Sequence, residues 1–377
     1  MTQQAGLNTL CVHSARSPDP TTGALAAPIH LATTFERDAD GAYPRGYRYS
    51  REGTPNRAAL ESCLAALEGG CGALAFASGL AANMAVLELL EAGERLVSPL
   101  EAYYGTKKQF LAHSQRRGAE VRFADACDPG AVRTAVADGA RLVWIETPTN
   151  PLLNVVDLRR VIGIAHEAGA LVVCDNTFAT PVCQRPFDFG ADLIVHSGTK
   201  YLGGHSDVLS GVLVVRNDGA LLERLRAWQS MSGAVLGPFD CWLLRRSIAT
   251  LALRVRAQCA GALAVAHFLA THAAVERVLY PGLPQHRGHA VAAAQMPGGF
   301  GAVLSLCVAG GEAAAVRVAA RTCLFTRATS LGSVESLIEH RASIEGPSSP
   351  TPRNLLRLSI GIEEPADLIA DLAQALQ

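Results

Sequence analysis

The sequence has no run of basic residues, and its net charge is −1 at neutral pH. The electrostatic footprint of nucleic-acid binding is therefore missing. No apolar run is long enough to span a bilayer. The opening stretch, MTQQAGLNTLCVHSARSPDP, has no basic start leading into an apolar core, so no secretory signal is expected. These absences predict a cytoplasmic protein with no nucleic-acid and no membrane partner. The ten cysteines never form a C-x-x-C pair. That argues against a disulfide framework or a metal site, and for thiols that serve as small buried apolar groups. The fingerprints G-x-x-x-x-G-K-[ST], G-x-S-x-G and H-E-x-x-H are absent. GGFGAV near 298 is too short and too late in the chain for a dinucleotide loop, which sets a nicotinamide-dependent oxidoreductase behind the other readings.

What is present is a long apolar chain: 377 residues, 49% of them hydrophobic, enough for more than one domain. Charged residues make up only 18%, natural if surface is buried between subunits. Residues 1–55 are irregular and rich in Gly, Pro, Arg and Tyr, which predicts an arm reaching onto a partner. From 56 to 238, apolar runs of strand length (ALAFAS, RLVSP, AEVRFA, RLVWIET, ALVVCD, ADLIVH) alternate with helical patterns. That alternation predicts β-α-β units and an α/β fold with a mainly parallel sheet. From 239 to 377, one long helical stretch beginning near Phe239 precedes GAVLSLCVAG and LLRLSIGIE, which predicts a smaller α+β domain.

Ligands of parallel α/β sheets bind at the carboxyl ends of the strands, so the residues that follow each strand carry the functional reading. Ser78, Gly79 and Leu80 open a helix after ALAFA and form an anion site. Glu146, Thr147 and Asn150 follow RLVWI. Asp175, Asn176 and Thr177 follow ALVVC, and His196, Ser197, Gly198, Thr199 and Lys200 follow ADLIV. Taken singly, each has an ordinary explanation as a cap, a turn former or a solvated lysine. Together they offer a phosphate site (with hydroxyls from Ser197 and Thr199), a buried carboxylate that needs a cation, and an amine. Pyridoxal 5′-phosphate (PLP) satisfies all three, through its phosphate, its pyridinium nitrogen and an aldehyde that forms a Schiff base with lysine.

The stretches YSREGTPNRAALE, FASGLAA, WIETPTNPLLNVVDL, VVCDNTF, VHSGTKYLGGHSDVLSG, VLYPGLPQH, SLGSVESLIEH and LLRLSIGIE resemble, over nearly the whole chain, the Cys/Met-metabolism PLP enzymes. This is the cystathionine γ-synthase/γ-lyase family of fold type I. The resemblance implies that Lys200 holds the cofactor and then shuttles protons, and that Asp175 pairs with the pyridinium nitrogen. It implies that Gly79, Leu80, Ser197 and Thr199 hold the phosphate, and that Tyr103 stacks on the ring and acts in acid–base steps. Tyr49 and Arg51 would reach the phosphate from a neighbouring subunit, so a homo-oligomer, usually a tetramer in this family, is implied. Arg357 would seat the α-carboxylate of an amino-acid substrate, Asn150 and Ser330 would hold that carboxylate or the lysine, and Glu335 would recognise a distal amino group. Arg357 also makes sense physically. It lies in the apolar run LLRLSIG, where a buried guanidinium without a partner is costly and a substrate carboxylate would satisfy it.

The chain departs from the family pattern in four places. Gly53-Thr54-Pro55-Asn56 stands for G-N-P-T, and Tyr103-Tyr104-Gly105-Thr106 for Y-G-G-T. Arg341-Ala342-Ser343-Ile344-Glu345-Gly346 stands for P-A-S-M-T-H, and Arg48 takes a position that is acidic in several cystathionine enzymes. The activity first expected is γ-elimination of L-cystathionine. The alternatives are γ-replacement on an acylated homoserine with cysteine, β-elimination of cystathionine and γ-elimination of methionine. From a different class comes a catalytically silent assembly partner on the same fold.

Overall fold

The computed structural model describes residues 5–346 and 349–377. Its large sheet contains β1 (Gly72–Phe76), β2 (Arg95–Pro99), β3 (Glu120–Ala124), β4 (Leu142–Glu146), β5 (Leu171–Asp175), β6 (Leu193–Ser197) and β7 (Gly211–Val215), in the order β1-β7-β6-β5-β4-β2-β3. β3, β2, β4, β5 and β6 run parallel. β7 runs antiparallel to both β6 and β1. A parallel pair needs a crossover of a dozen or more residues, usually a helix, whereas an antiparallel pair can close through a loop. The connection from β6 to β7 is the 198–210 segment, which has no helix, and β7 accordingly returns antiparallel. Every residue of β4 and β7 is buried, as expected of strands covered on both faces. On one of those faces Phe110 packs edge-on to Trp144, with ring centroids 5.1 Å apart.

The second sheet joins β8 (Val275–Leu279), β9 (Val303–Val308), β10 (Thr326–Arg327), β11 (Leu337–His340) and β12 (Leu355–Ser359) in the order β10-β11-β12-β9-β8. One apolar cluster links the two sheets, running from Leu60 and Cys174 through Ile248 to Leu304 and Leu358. No single helix among the described residues is long and apolar enough to cross a membrane.

Two local expectations need correction. The N-terminal segment is not irregular throughout: Leu7–His13 is a helix. Cys11 is buried, Leu7 and Leu10 pack on the core, and Arg245 donates to the carbonyls of Cys11, Val12 and Ser14 at 2.6–3.2 Å. That guanidinium satisfies the carbonyls a helix end leaves open. The long helical stretch is two helices, Pro238–Ile248 and Leu251–Ala270, bent by 60°. Arg254 inserts at the bend, donating to Ser247 O at 3.0 Å and to Tyr201 O at 2.8 Å, just after the Lys200 loop. A side chain entering the helical ladder is a sufficient cause of such a kink.

Candidate active site

Register brings the strand-end residues together. Glu146 and Asp175 face each other across β4 and β5, and Asp175 faces Val195 of β6. Ser197 of β6 and Phe76 of β1 both pair with Gly211 of β7, which sets Ser78 and Ser197 on one edge. A Cβ on Gly211 would lie 2.0 Å from the carbonyl oxygen of Ser78, so only glycine lets β7 pass that turn. These ends open on a cavity of about 540 Å³.

Ser78, Gly79, Leu80, Tyr103, Asn150, Asp175, Thr177, Ser197, Thr199, Lys200, Ser330 and Arg357 all line it. Ser78 caps the helix Gly79–Leu87, accepting from the Ala81 N–H at 3.2 Å. The N–H groups of Gly79 and Leu80 in that first turn have no partner within the helix, which makes the turn an anion seat. Ser197 N–H donates to Thr177 Oγ1 at 2.8 Å, and Thr199 Oγ1 is locked to the backbone of Ser210. Tyr103 N–H donates to Glu146 Oε2 at 2.7 Å. A Cβ on Gly105 would sit 2.7 Å from the Tyr103 ring, so glycine there leaves the ring its place. Tyr104 also borders the cavity, with Lys108 Nζ 4.3 Å above its ring.

The electrostatics are uneven. Burial pushes the Asp175 carboxyl above its ordinary range, while hydrogen bonds from Thr177 and the field of His196 pull it back. Burial, with Asp175 beside it, also raises Glu146. Lys200 is drawn down to about 8, by burial first and then by Arg357 and Arg341, with Glu339 opposing. Its Nζ donates to Ser330 Oγ at 2.6 Å. Ser330 holds φ +85°, a conformation strained for a residue with a side chain, and such strain persists where the surroundings over-determine it.

Arg357 does have a partner within the chain. It forms a salt bridge to Glu339, its cross-strand neighbour in β11–β12, donates to Asn150 Oδ1 at 2.9 Å and donates to Ser330 O at 2.8 Å. A substrate carboxylate is therefore not required to satisfy it. Glu339 and the cavity-lining Arg341 were not singled out as site residues from sequence. Their signal was an acid and a base at alternate positions, Glu339 and Arg341, in the strand end LIEHR.

Tyr49, Arg51 and Glu335 do not line the cavity. Tyr49 is 41% exposed, and Arg51 lies over its ring while donating to Ser230 O at 2.9 Å. Glu335 accepts from Ser206 Oγ at 2.6 Å and from Ser333 Oγ at 2.7 Å. Burial raises this carboxyl, but the two hydroxyls outweigh that and hold it below its ordinary range. Arg48 is paired with Glu52 at the surface.

An anion seat, a buried carboxylate that a cation would relieve, and an amine with a depressed pKa on one strand edge define a cofactor-dependent enzyme site. Residues 8–377 match the family model described as Cys/Met metabolism PLP-dependent enzyme. The chain is 45% identical to the cystathionine γ-synthase of Mycobacterium tuberculosis, over 99% of this chain and 97% of that protein. It is 42% identical to the cystathionine γ-lyase of Bacillus subtilis, over 98% of each. The structure of cystathionine γ-synthase from Xanthomonas oryzae pv. oryzae in complex with cystathionine superposes with a TM-score of 0.95 at 42% identity, covering 99% of this chain and 98% of that one. The chain belongs to the Cys/Met metabolism PLP-dependent enzyme family. It is therefore an enzyme of fold type I whose cofactor is pyridoxal 5′-phosphate, and the donor set just described fits that group.

Proposed function

We propose that the enzyme acts on L-cystathionine by γ-elimination, taking up one water and yielding cysteine, 2-oxobutanoate and ammonia. The observation that carries this reading is Glu335, which stands outside the cavity lining and would be met only by the distal end of a long substrate. It is an ionised carboxylate on the same segment as Ser330, tied to two hydroxyls, with no arginine or lysine salt bridge among the described residues. A distal ammonium group is the partner it lacks.

When bound, the cofactor supplies an electron-accepting ring that acidifies the Cα and then the Cβ proton. The N–H groups of Gly79 and Leu80, with Ser78, Ser197 and Thr199, would hold its phosphate, and Asp175 would keep its ring nitrogen protonated while Thr177 steadies Asp175. Lys200 would hold the cofactor in the resting enzyme. Arg357 and Asn150 seat the substrate's α-carboxylate, and Ser330 directs the lysine. The Lys200 amine would take the Cα proton, pass it on, and so be free to take a Cβ proton, a task suited to a base whose pKa lies near working pH. Tyr103 gives the departing sulfur its proton. We place Tyr49 and Arg51 against the cavity of a neighbouring copy in a homotetramer. The exposed Leu25, Leu31 and Met231 support association.

A second reading, γ-replacement of an acylated homoserine by cysteine to make cystathionine, is supported by the relatives named γ-synthase. Incubation of the holoenzyme with L-cystathionine separates the two. Release of 2-oxobutanoate is the expected result. Its absence, with cystathionine formed from cysteine and an O-acylhomoserine, would replace the first reading by the second.

A further inference from the structure

Glu339 is shared. Beyond its bond to Arg357, it accepts from Arg341 Nη1, at 3.1 Å through Oε1 and 3.2 Å through Oε2. Arg341 in turn donates from Nη2 to Glu345 Oε1 at 2.7 Å. Glu345 is anchored by Thr351 Oγ1 at 2.8 Å and by Ser349. The result is a buried alternating row, Arg357–Glu339–Arg341–Glu345, whose side chains are 3%, 4%, 6% and 8% exposed. Arg341 borders the cavity, and its Nε is buried without a hydrogen-bond partner among the described residues. Two of the departures in the 341–346 segment, Arg341 and Glu345, are thus the two members of one ion pair.

An isolated Glu339–Arg357 pair would present no net charge to a substrate carboxylate, because the resident acid would cancel the guanidinium. In a buried setting that cancellation is strong, since charges a few ångströms apart are poorly screened. We propose that Arg341 is a positioning residue for the carboxylate seat. By taking a share of Glu339, it leaves Arg357 with positive charge to offer, and so sets how strongly the cavity prefers a ligand that carries a carboxylate. Both Nη groups of Arg341 are already engaged, so it acts through Glu339 and not by holding the ligand itself. The inference rests on the reading of Arg357 as the seat of the α-carboxylate.

The test is a titration of the holoenzyme with L-alanine and, separately, L-alaninamide, followed by visible absorption. The ratio of the two dissociation constants measures the preference for a carboxylate. In Arg357→Met the preference is expected to collapse. In Arg341→Met it falls roughly tenfold, the scale of one partly screened charge, while L-alaninamide binding is unchanged. Arg341→Lys restores part of it. Glu345→Gln, which frees Arg341 for Glu339, moves the preference the other way. If Arg341→Met weakens acid and amide alike, or if Arg341→Met and Glu345→Gln shift in the same direction, Arg341 is a structural staple and the inference is overturned. An unaltered preference in Arg357→Met would overturn the reading of Arg357 and this inference with it. Collapse there without any change in Arg341→Met overturns this inference alone.

Discussion

At the end of the cavity built by β4, β5 and β6, charged groups face the cavity without a salt bridge among the described residues; at the end built by β11 and β12 they face one another. Among the described residues, Asp175 is hydrogen-bonded only by Thr177, and the Lys200 amine only to the Ser330 hydroxyl. Arg357, Glu339, Arg341 and Glu345 complete their own alternation of charge. The first end carries buried charge that a ligand must relieve, so its groups are costly to the empty protein and valuable to the loaded one. The second end is closed in charge and open only in how that charge is divided. Function is therefore vulnerable at single residues in one place, and stability is vulnerable in the other.

Substitutions can break that contrast. The largest effect is expected at Lys200→Ala, where turnover of L-cystathionine without added amine falls at least about a thousandfold, the scale of a lost acid–base group. Stopped turnover assays check this. Glu339→Gln leaves two guanidiniums short of one charge in a buried site, and breaking such a pair costs about 3–5 kcal/mol. A large drop in the denaturation midpoint of the apoenzyme is the expected reading. Asp175→Asn should do the reverse. It removes a carboxyl whose ionisation burial opposes, so the apoenzyme keeps or gains stability while turnover falls about a hundredfold or more.

The smallest effect is a slope in pH. Lys200 titrates at about 8 folded, against 10.5 ordinarily, so between those values the unfolded chain binds more protons than the folded one. The unfolding free energy of the apoenzyme then rises with pH across that window. Lys200→Met should remove that part of the slope, as read from denaturant titrations at a series of pH values.

The cofactor end was legible in the sequence because each of its groups follows a strand and acts alone. Ser78–Leu80, Asp175, Thr177, Ser197, Thr199 and Lys200 each come shortly after an apolar run, and the parallel register brings them to one edge. The carboxylate end was only half legible. Arg357 stood out in an apolar strand, but its partner Glu339 comes from β11, and no periodic signal announces which residue lies across a ladder. The helix Leu7–His13 is too short for its pattern to stand out from the segment around it. The break between Ile248 and Leu251 is set by Arg254 reaching Tyr201 on the Lys200 loop, a contact that no local propensity encodes.

The most direct test of the account uses the scarcity of one residue type. The chain has three lysines, Lys107, Lys108 and Lys200, and the first two lie on the helix Tyr104–Arg117. Borohydride reduction of the holoenzyme followed by peptide mass spectrometry should place the phosphopyridoxyl mass on Lys200 alone. The mass on Lys107 or Lys108, or on no lysine, would contradict the assignment of the strand-end cluster as the site of the chemistry.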